Sequence, residues 1–386
     1  MKSLGPLTAA DEMMTHQIVD TFASVSQTDR SWTEKVCAMA CAKDGSLYLG
    51  FGLGKYPNRG VMDAYAAISR GKEIRVVRAS RELGDDPVTT SIGPIHYEVQ
   101  EPLRRVRFAL DANAHQPIAF EWIFESIVPP VVEHPEQARS RDGIRLDQDL
   151  IRYHQSGVAH GWVEIEGVRT ELDTATWVST RDHSWGVRHG VGAPDPDVKE
   201  SERPSNLAIL VNWCPVVCER PDGSRYALHW FWQRQELPGW QNEHFQGGVE
   251  HPDGSRDLFA GIEPEFEVDP VTRRVRRGRV TFRMADGSTR PITIEKLDDT
   301  GLPLGAGLYF GLDGKDHGSY RGALEVEGEH VPDVTEPAAA RRLHQLVDHV
   351  VRVEDPVGGG VGIGNLQTLF TGPIPAMGLD EASSFL

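Results

Sequence analysis

Cys37-Ala-Met-Ala-Cys41-Ala-Lys43-Asp44-Gly45-Ser46-Leu47-Tyr48 and Cys214-Pro-Val-Val-Cys218-Glu-Arg220-Pro-Asp222-Gly223-Ser224-Arg225-Tyr226 are two versions of one phrase, the second longer by a proline. Two further matches follow in the same order. HYEVQEPLRRVRFAL (96–110) resembles EFEVDPVTRRVRRGRVTF (265–282), and GWVEIEGV (161–168) resembles GALEVEGE (322–329). The offsets run from about 160 to 177 residues, too long for a solenoid repeat and right for a duplicated whole domain. The alignment predicts that Cys37 superposes on Cys214 and Tyr48 on Tyr226. The proline-rich, charged stretch 190–206 reads as the linker, which places the boundary near 203, with one domain over 1–203 and the other over 204–386.

Both copies read as mainly β. In PIAFEWIFE, Ile118, Phe120, Trp122 and Phe124 share one face of a strand while Glu121 and Glu125 take the other. Asp-Gly-Ser recurs at 44–46, 222–224, 253–255 and 286–288, each time between β-prone runs, and Asp-Gly supplies the positive φ that tight hairpins need. Short antiparallel strands with such turns predict two tandem β-barrel or β-sandwich domains with few helices. Residues 8–24, with Thr8 as N-cap, are the best helix candidate. Residues 336–350 are open between helix and strand.

With 386 residues there is ample chain for two cores. The balance of 40 basic and 57 acidic residues, net −17, disfavours nucleic acid or an anionic membrane as main partner. The one basic run, Arg273, Arg274, Arg276, Arg277 and Arg279, reads as the solvated face of a strand pair. No apolar run is long enough to span a bilayer and the start lacks the features of a signal peptide, so a cytoplasmic location is expected. Closed barrels leave few free edges, so no oligomer is required.

Dinucleotide and phosphate-binding loops, the Gly-x-Ser-x-Gly elbow and His-Glu-x-x-His are all missing, and no metal or cofactor is expected. Each Cys-x-x-x-Cys pair lies in a β-run and reads as interior packing. At about 3.3 Å per residue the two thiols of a pair stand about 13 Å apart, beyond disulfide reach.

The densest polar spot among apolar strands is Thr180-Arg181-Asp182-His183-Ser184-Trp185-Gly186-Val187-Arg188-His189. Two arginines would hold Asp182 ionised while burial would raise its pKa, and a structural Arg–Asp corner competes with an active site. Arg-Asp-His-Ser-Trp-Gly-x-Arg resembles the signature of the AttH-like and carotenoid 1,2-hydratase superfamily. The runs Arg152-Tyr153-His154-Gln155-Ser156-Gly157 and Leu53-Gly54-x-Tyr-Pro57-Asn58-x-Gly60 are also similar to that family. The resemblance implies two lipocalin-like domains in tandem and relatives that hydrate or cyclise alkenes by acid–base chemistry without a redox cofactor. This chain departs at Gly359-Gly-Val-Gly-Ile-Gly364-Asn365-Leu-Gln367, where an acidic residue is expected.

Alkene protonation needs a dry acid, aromatic faces that tolerate a carbocation and a positioned water. The candidates are Asp182, His183 and Arg188 for catalysis, with Trp185, Trp213, Tyr226, Trp230 and Trp232 as lining for an apolar small molecule. They are expected at the seam between the domains, beside an apolar cavity. The aromatics equally suit core packing, and in YALHWFWQRQ either face could point into a barrel. The competing function is a lipocalin-like carrier of a hydrophobic ligand that does no chemistry.

Overall fold

The computed structural model describes residues 7–14, 27–84, 86, 88–140, 143–193, 197–199, 204, 206–307, 309 and 315–380. Its strands are β1 (Trp32–Ala42), β2 (Tyr48–Tyr56), β3 (Val61–Arg70), β4 (Glu73–Glu82), β5 (Ser91–Ile92), β6 (Ile95–Glu101), β7 (Arg105–Leu110), β8 (Ile118–Ser126), β9 (Val131–Val132), β10 (Glu136–Arg139), β11 (Leu146–Ile165), β12 (Val168–Leu172) and β13 (Trp177–Val187). There follow β14 (Ala208–Glu219), β15 (Arg225–Leu237), β16 (Trp240–Glu250), β17 (Arg256–Val268), β18 (Val275–Met284), β19 (Thr289–Pro303), β20 (Leu324–Val331), β21 (Val347–Asp355) and β22 (Gly360–Thr371).

The first sheet runs β20-β4-β3-β2-β1-β13-β11-β8-β7-β6-β5 and is open. It curls until its ends meet, with Arg81 Nε on β4 donating to the carbonyl of Ser91 on β5 at 3.0 Å. The second is a closed eight-stranded barrel, β14-β15-β16-β17-β18-β19-β21-β22. Ile118, Phe120, Trp122 and Phe124 are buried on the inner side of the first sheet, as their alternation requires. All four Asp-Gly-Ser segments are hairpin turns. In each the serine N–H donates to the aspartate carboxylate at 2.9 Å and the glycine has φ between 77° and 85°.

The paired phrases share a hairpin register, Cys41 facing Tyr48 and Cys218 facing Tyr226. They differ in facing. Cys41 and Tyr48 turn outward from the first sheet into an apolar layer with Val217, Leu302, Val350 and Ile363, whereas Cys214, Cys218 and Tyr226 point into the barrel. Cys37 and Cys214 therefore correspond in pairing but not in surroundings. The third match separates further. Gly161–Val168 closes the β11–β12 hairpin, while β20 leaves the barrel sequence and pairs with β4 of the first sheet.

The expected N-terminal helix is a 3₁₀ turn over Ala9–Glu12, followed by an extended Met13; residues 15–24 of that expectation, and the boundary residue 203, lie outside the described residues. Segment 336–350 resolves into both alternatives, a one-and-a-half-turn helix Pro337–Arg342 and then β21. The basic run is only partly solvated. Arg276, Arg277 and Arg279 are exposed, but Arg273 and Arg274 are buried at the β17–β18 turn. The fork of Arg273 donates to the carbonyls of Phe370 and Gly372 at the end of β22 and of Asp380 beyond it. Among the described residues no helix is long and apolar enough to cross a membrane.

Candidate functional site

Strand neighbours point to opposite faces, and that alternation splits the polar segment of β13 in two. Arg181 and His183 face the interior of the first sheet. Asp182 faces the seam with the barrel.

The interior group is a closed network. Arg181 grips Glu12 with two bonds, Nη1–Oε1 at 2.6 Å and Nη2–Oε2 at 2.7 Å, and also donates to Gln155. Tyr97 and Tyr153 donate their hydroxyls to Glu12 at 3.1 and 2.9 Å, and the Leu103 N–H donates at 2.6 Å. Burial pushes the Glu12 carboxyl up, but the Arg181 guanidinium outweighs it and leaves it below the usual carboxylate range. His183 sits between Tyr153 (Nδ1, 3.1 Å) and Glu34 (Nε2, 2.9 Å), with Trp185 edge-on at 5.7 Å. Gly186 in the same motif has φ 131°, and a Cβ there would stand 2.2 Å from the carbonyl oxygen of Asp149. That close approach is why the signature carries glycine.

The seam group is a narrow cleft lined by Cys37, Tyr65, Asp182, Trp213, Asp348 and Gln367, with about 20 Å³ of room, enough to admit a water. Asp182 enters from β13 and Asp348 from β21, one carboxylate from each sheet. Tyr48 donates to Asp348 Oδ2 at 2.7 Å and Gln367 Nε2 to Oδ1 at 2.9 Å. Burial pushes Asp348 up to about 6. Burial also raises Asp182 against the pull of Arg152, whose Nε lies 3.5 Å from Oδ2. Arg188 donates to Ser184 at 2.7 Å and joins Lys35 on this side. Burial, and after it the charge of Arg188, pushes Lys35 down to about 8, and its ammonium lies 3.1 Å from His317 Nδ1.

The structure thus brings Asp182 and Arg188 to the seam and turns His183 away. Of the candidate lining residues, Trp213 borders the cleft. Tyr226, Trp230 and Trp232 fill the barrel core, and Trp185 packs beside His183. Asp348 escaped the sequence reading. It lies on β21 opposite Gln367 of β22, a placement set by sheet register and marked by no local motif, while the stretch 359–367 itself carries no acid. The four cysteines are free thiols. Glu133, His154 and His229 are the described residues grouped closely enough to hold a metal ion. A roomier recess, about 780 Å³, lies elsewhere, at the end of the first sheet around Leu47, Ile165, Val168 and Trp177.

The model of a family of unknown function, DUF8625, matches residues 7–380. The chain belongs to DUF8625. No curated protein matches this DUF8625 chain. A protein of Nitrosomonas europaea assigned as AttH is similar to it in structure, with TM-score 0.50 and 14% identity over 88% of this chain and 92% of that one. The DUF8625 chain therefore has the AttH-like fold, as its signature implied. Kievitone hydratase of Nectria haematococca also aligns, at TM-score 0.42 and 9% identity, over 92% and 94% of the two chains. CghA, in complex with Sch210972, aligns at TM-score 0.42 and 10% identity over 88% and 87%.

Proposed function

We propose that this chain is an acid–base enzyme of hydratase, dehydratase, isomerase or cyclase type, acting on an apolar small molecule admitted between the sheet and the barrel. The observation that carries the reading is the pair Asp182 and Asp348, one from each sheet, both raised by burial and both lining one cleft. Perturbed acids gathered in a cleft are what proton-transfer chemistry requires. Asp348 is the proton donor, since burial pushes it up to about 6 and leaves a fraction of it protonated near neutrality, where an ordinary carboxyl is fully ionised. Asp182, beside Arg152, is the acceptor. Tyr65 and Trp213 offer aromatic walls to a cationic intermediate, and the room between the acids suits the water that adds. A terpenoid or steroid alkene needs some hundreds of Å³, so uptake parts the seam. No step here calls for a redox cofactor.

The test is incubation with a panel of terpenoid and steroid alkenes in heavy water, read by mass spectrometry for deuterium uptake or an added water. Wild type is expected to convert one class, and Asp348→Asn and Asp182→Asn to lose turnover with unchanged circular dichroism. Full turnover in both variants overturns the proposal. A carrier function is the second reading, favoured by the recess at Trp177, which shares no residue with the acid cleft. Apolar ligand binding that survives both aspartate substitutions but falls in Trp177→Ala, with no turnover in wild type, would establish it.

A further inference from the structure

A second polar cluster lies at the seam. Glu133, between β9 and β10, and His154 on β11 come from the first sheet; His229 on β15 and Glu250 at the end of β16 come from the barrel. None is more than 2% exposed. Glu133 Oε1 is 3.0 Å from His154 Nδ1 and 3.3 Å from His229 Nε2. The other nitrogen of His154 meets Glu250 Oε1 at 2.8 Å. The two imidazoles stack with centroids 3.4 Å apart. Glu133 Oε2 is engaged separately by Arg152 at 3.2 Å.

Hydrogen bonding alone leaves this cluster incomplete. His229 Nδ1 has no hydrogen-bond partner and Nε2 only the 3.3 Å approach to Glu133, which lacks hydrogen-bond geometry, although the ring is fully enclosed; Glu250 Oε2 has none either. A buried imidazole in that condition recovers little of the hydration it gives up. The spacing shows what would complete it. Donor atoms around a tetrahedral ion with bonds of about 2.1 Å stand about 3.4 Å apart, and Glu133 Oε1 already stands near that distance from both histidines. His154 presents one nitrogen to this point and holds a carboxylate on the other, the arrangement by which outer carboxylates orient metal-binding imidazoles. Two nitrogens and one carboxylate oxygen suit zinc or a similar first-row divalent ion, whereas calcium and magnesium favour all-oxygen sites.

We propose that Glu133 Oε1, His154 Nδ1 and His229 Nε2 bind a divalent transition-metal ion, with Glu250 positioning His154. The ion ties the first sheet to the barrel. Trp213, whose indole N–H donates to Glu133 at 2.8 Å and whose ring borders the acid cleft, is fixed by the same clasp. The site stands on its own ligands and does not depend on the acid–base reading.

The test uses the full chain stripped with chelator, titrated with Zn²⁺ by calorimetry and with Co²⁺ by visible d–d absorption. Wild type is expected to bind one equivalent of each, with a ligand-field band for Co²⁺ and a higher melting temperature with Zn²⁺. His229→Ala should weaken binding by at least about 100-fold and Glu250→Gln by about 10- to 100-fold. A Cys37→Ser/Cys214→Ser variant should match wild type. Glu133→Gln, nearly isosteric, gives the same readout should His229→Ala fail to fold. Absence of stoichiometric binding to wild type overturns the proposal, and so does an affinity unchanged in both His229→Ala and Glu133→Gln.

Discussion

Asp348→Asn is expected to make the protein more stable at neutral pH while removing its chemistry. The carboxyl is fully enclosed between Tyr48 and Gln367, and burial pushes it up to about 6 from an ordinary 3.8. A group whose folded pKa is raised contributes its full stability below the unfolded value and loses it as pH rises through the folded one. Wild type therefore gives up stability between pH 4 and pH 7, because the site must hold an anion it solvates poorly. At about 1.4 kcal/mol per pH unit the gap between the two values amounts to about 3 kcal/mol. Asparagine keeps the shape and carries no charge. Its Oδ1 can accept from Gln367 while its amide donates to the Tyr48 hydroxyl. Guanidinium unfolding of both proteins at pH 4 and pH 8 is the assay. Equal stability at pH 4 and a variant more stable by about 2–3 kcal/mol at pH 8 are expected. A variant equally destabilised at both pH values would refute the reasoning, since it would show Asp348 to be a structural hydrogen-bond acceptor only.

Glu12→Ala strands the buried Arg181 guanidinium and should cost about 3–5 kcal/mol in unfolding free energy, much of it recovered in Glu12→Ala/Arg181→Met. Because the Glu12 carboxyl lies below its usual range, the wild-type advantage over Glu12→Gln should be present at neutral pH and shrink as pH falls through the carboxylate range. Gly186→Ala drives a methyl into the Asp149 carbonyl and should lower the melting temperature by several degrees, with cost of about 2 kcal/mol or more by unfolding. The thiols should be slow toward a disulfide reagent at pH 8 and fast in denaturant, four per chain, with burial pushing even the cleft cysteine, Cys37, up to about 12.

The sequence showed most where one face of a strand is wet. Ile118 to Phe124 announced their inward face because Glu121 and Glu125 alternate with them. Tyr226 to Trp232 did not, because that strand is dry on both sides. Tyr226, Leu228, Trp230 and Trp232 enter the barrel, and His229 and Phe231 turn to the seam. The Asp-Gly-Ser turns were legible because their hydrogen bonds are local. Glu12 with Arg181, and Asp182 with Asp348, were not, since pairs so far apart in sequence meet only through sheet register and the docking of two sheets. The facing of the cysteine hairpins was hidden for a related reason. Pairing is a property of one hairpin, while inside and outside are set by the direction in which the whole sheet curls.

The placement of β20 bears on how the chain is made. The β4 edge of the first sheet is covered by Leu324–Val331, which a ribosome delivers only after most of the barrel strands have been synthesised. Until then the nascent first sheet carries an open row of backbone donors and acceptors, a template for pairing with another chain. A fragment cut in the connecting segment around 190–206 would keep that exposed edge permanently and should aggregate. Residues 315–340 supplied as a separate peptide would be expected to rescue it.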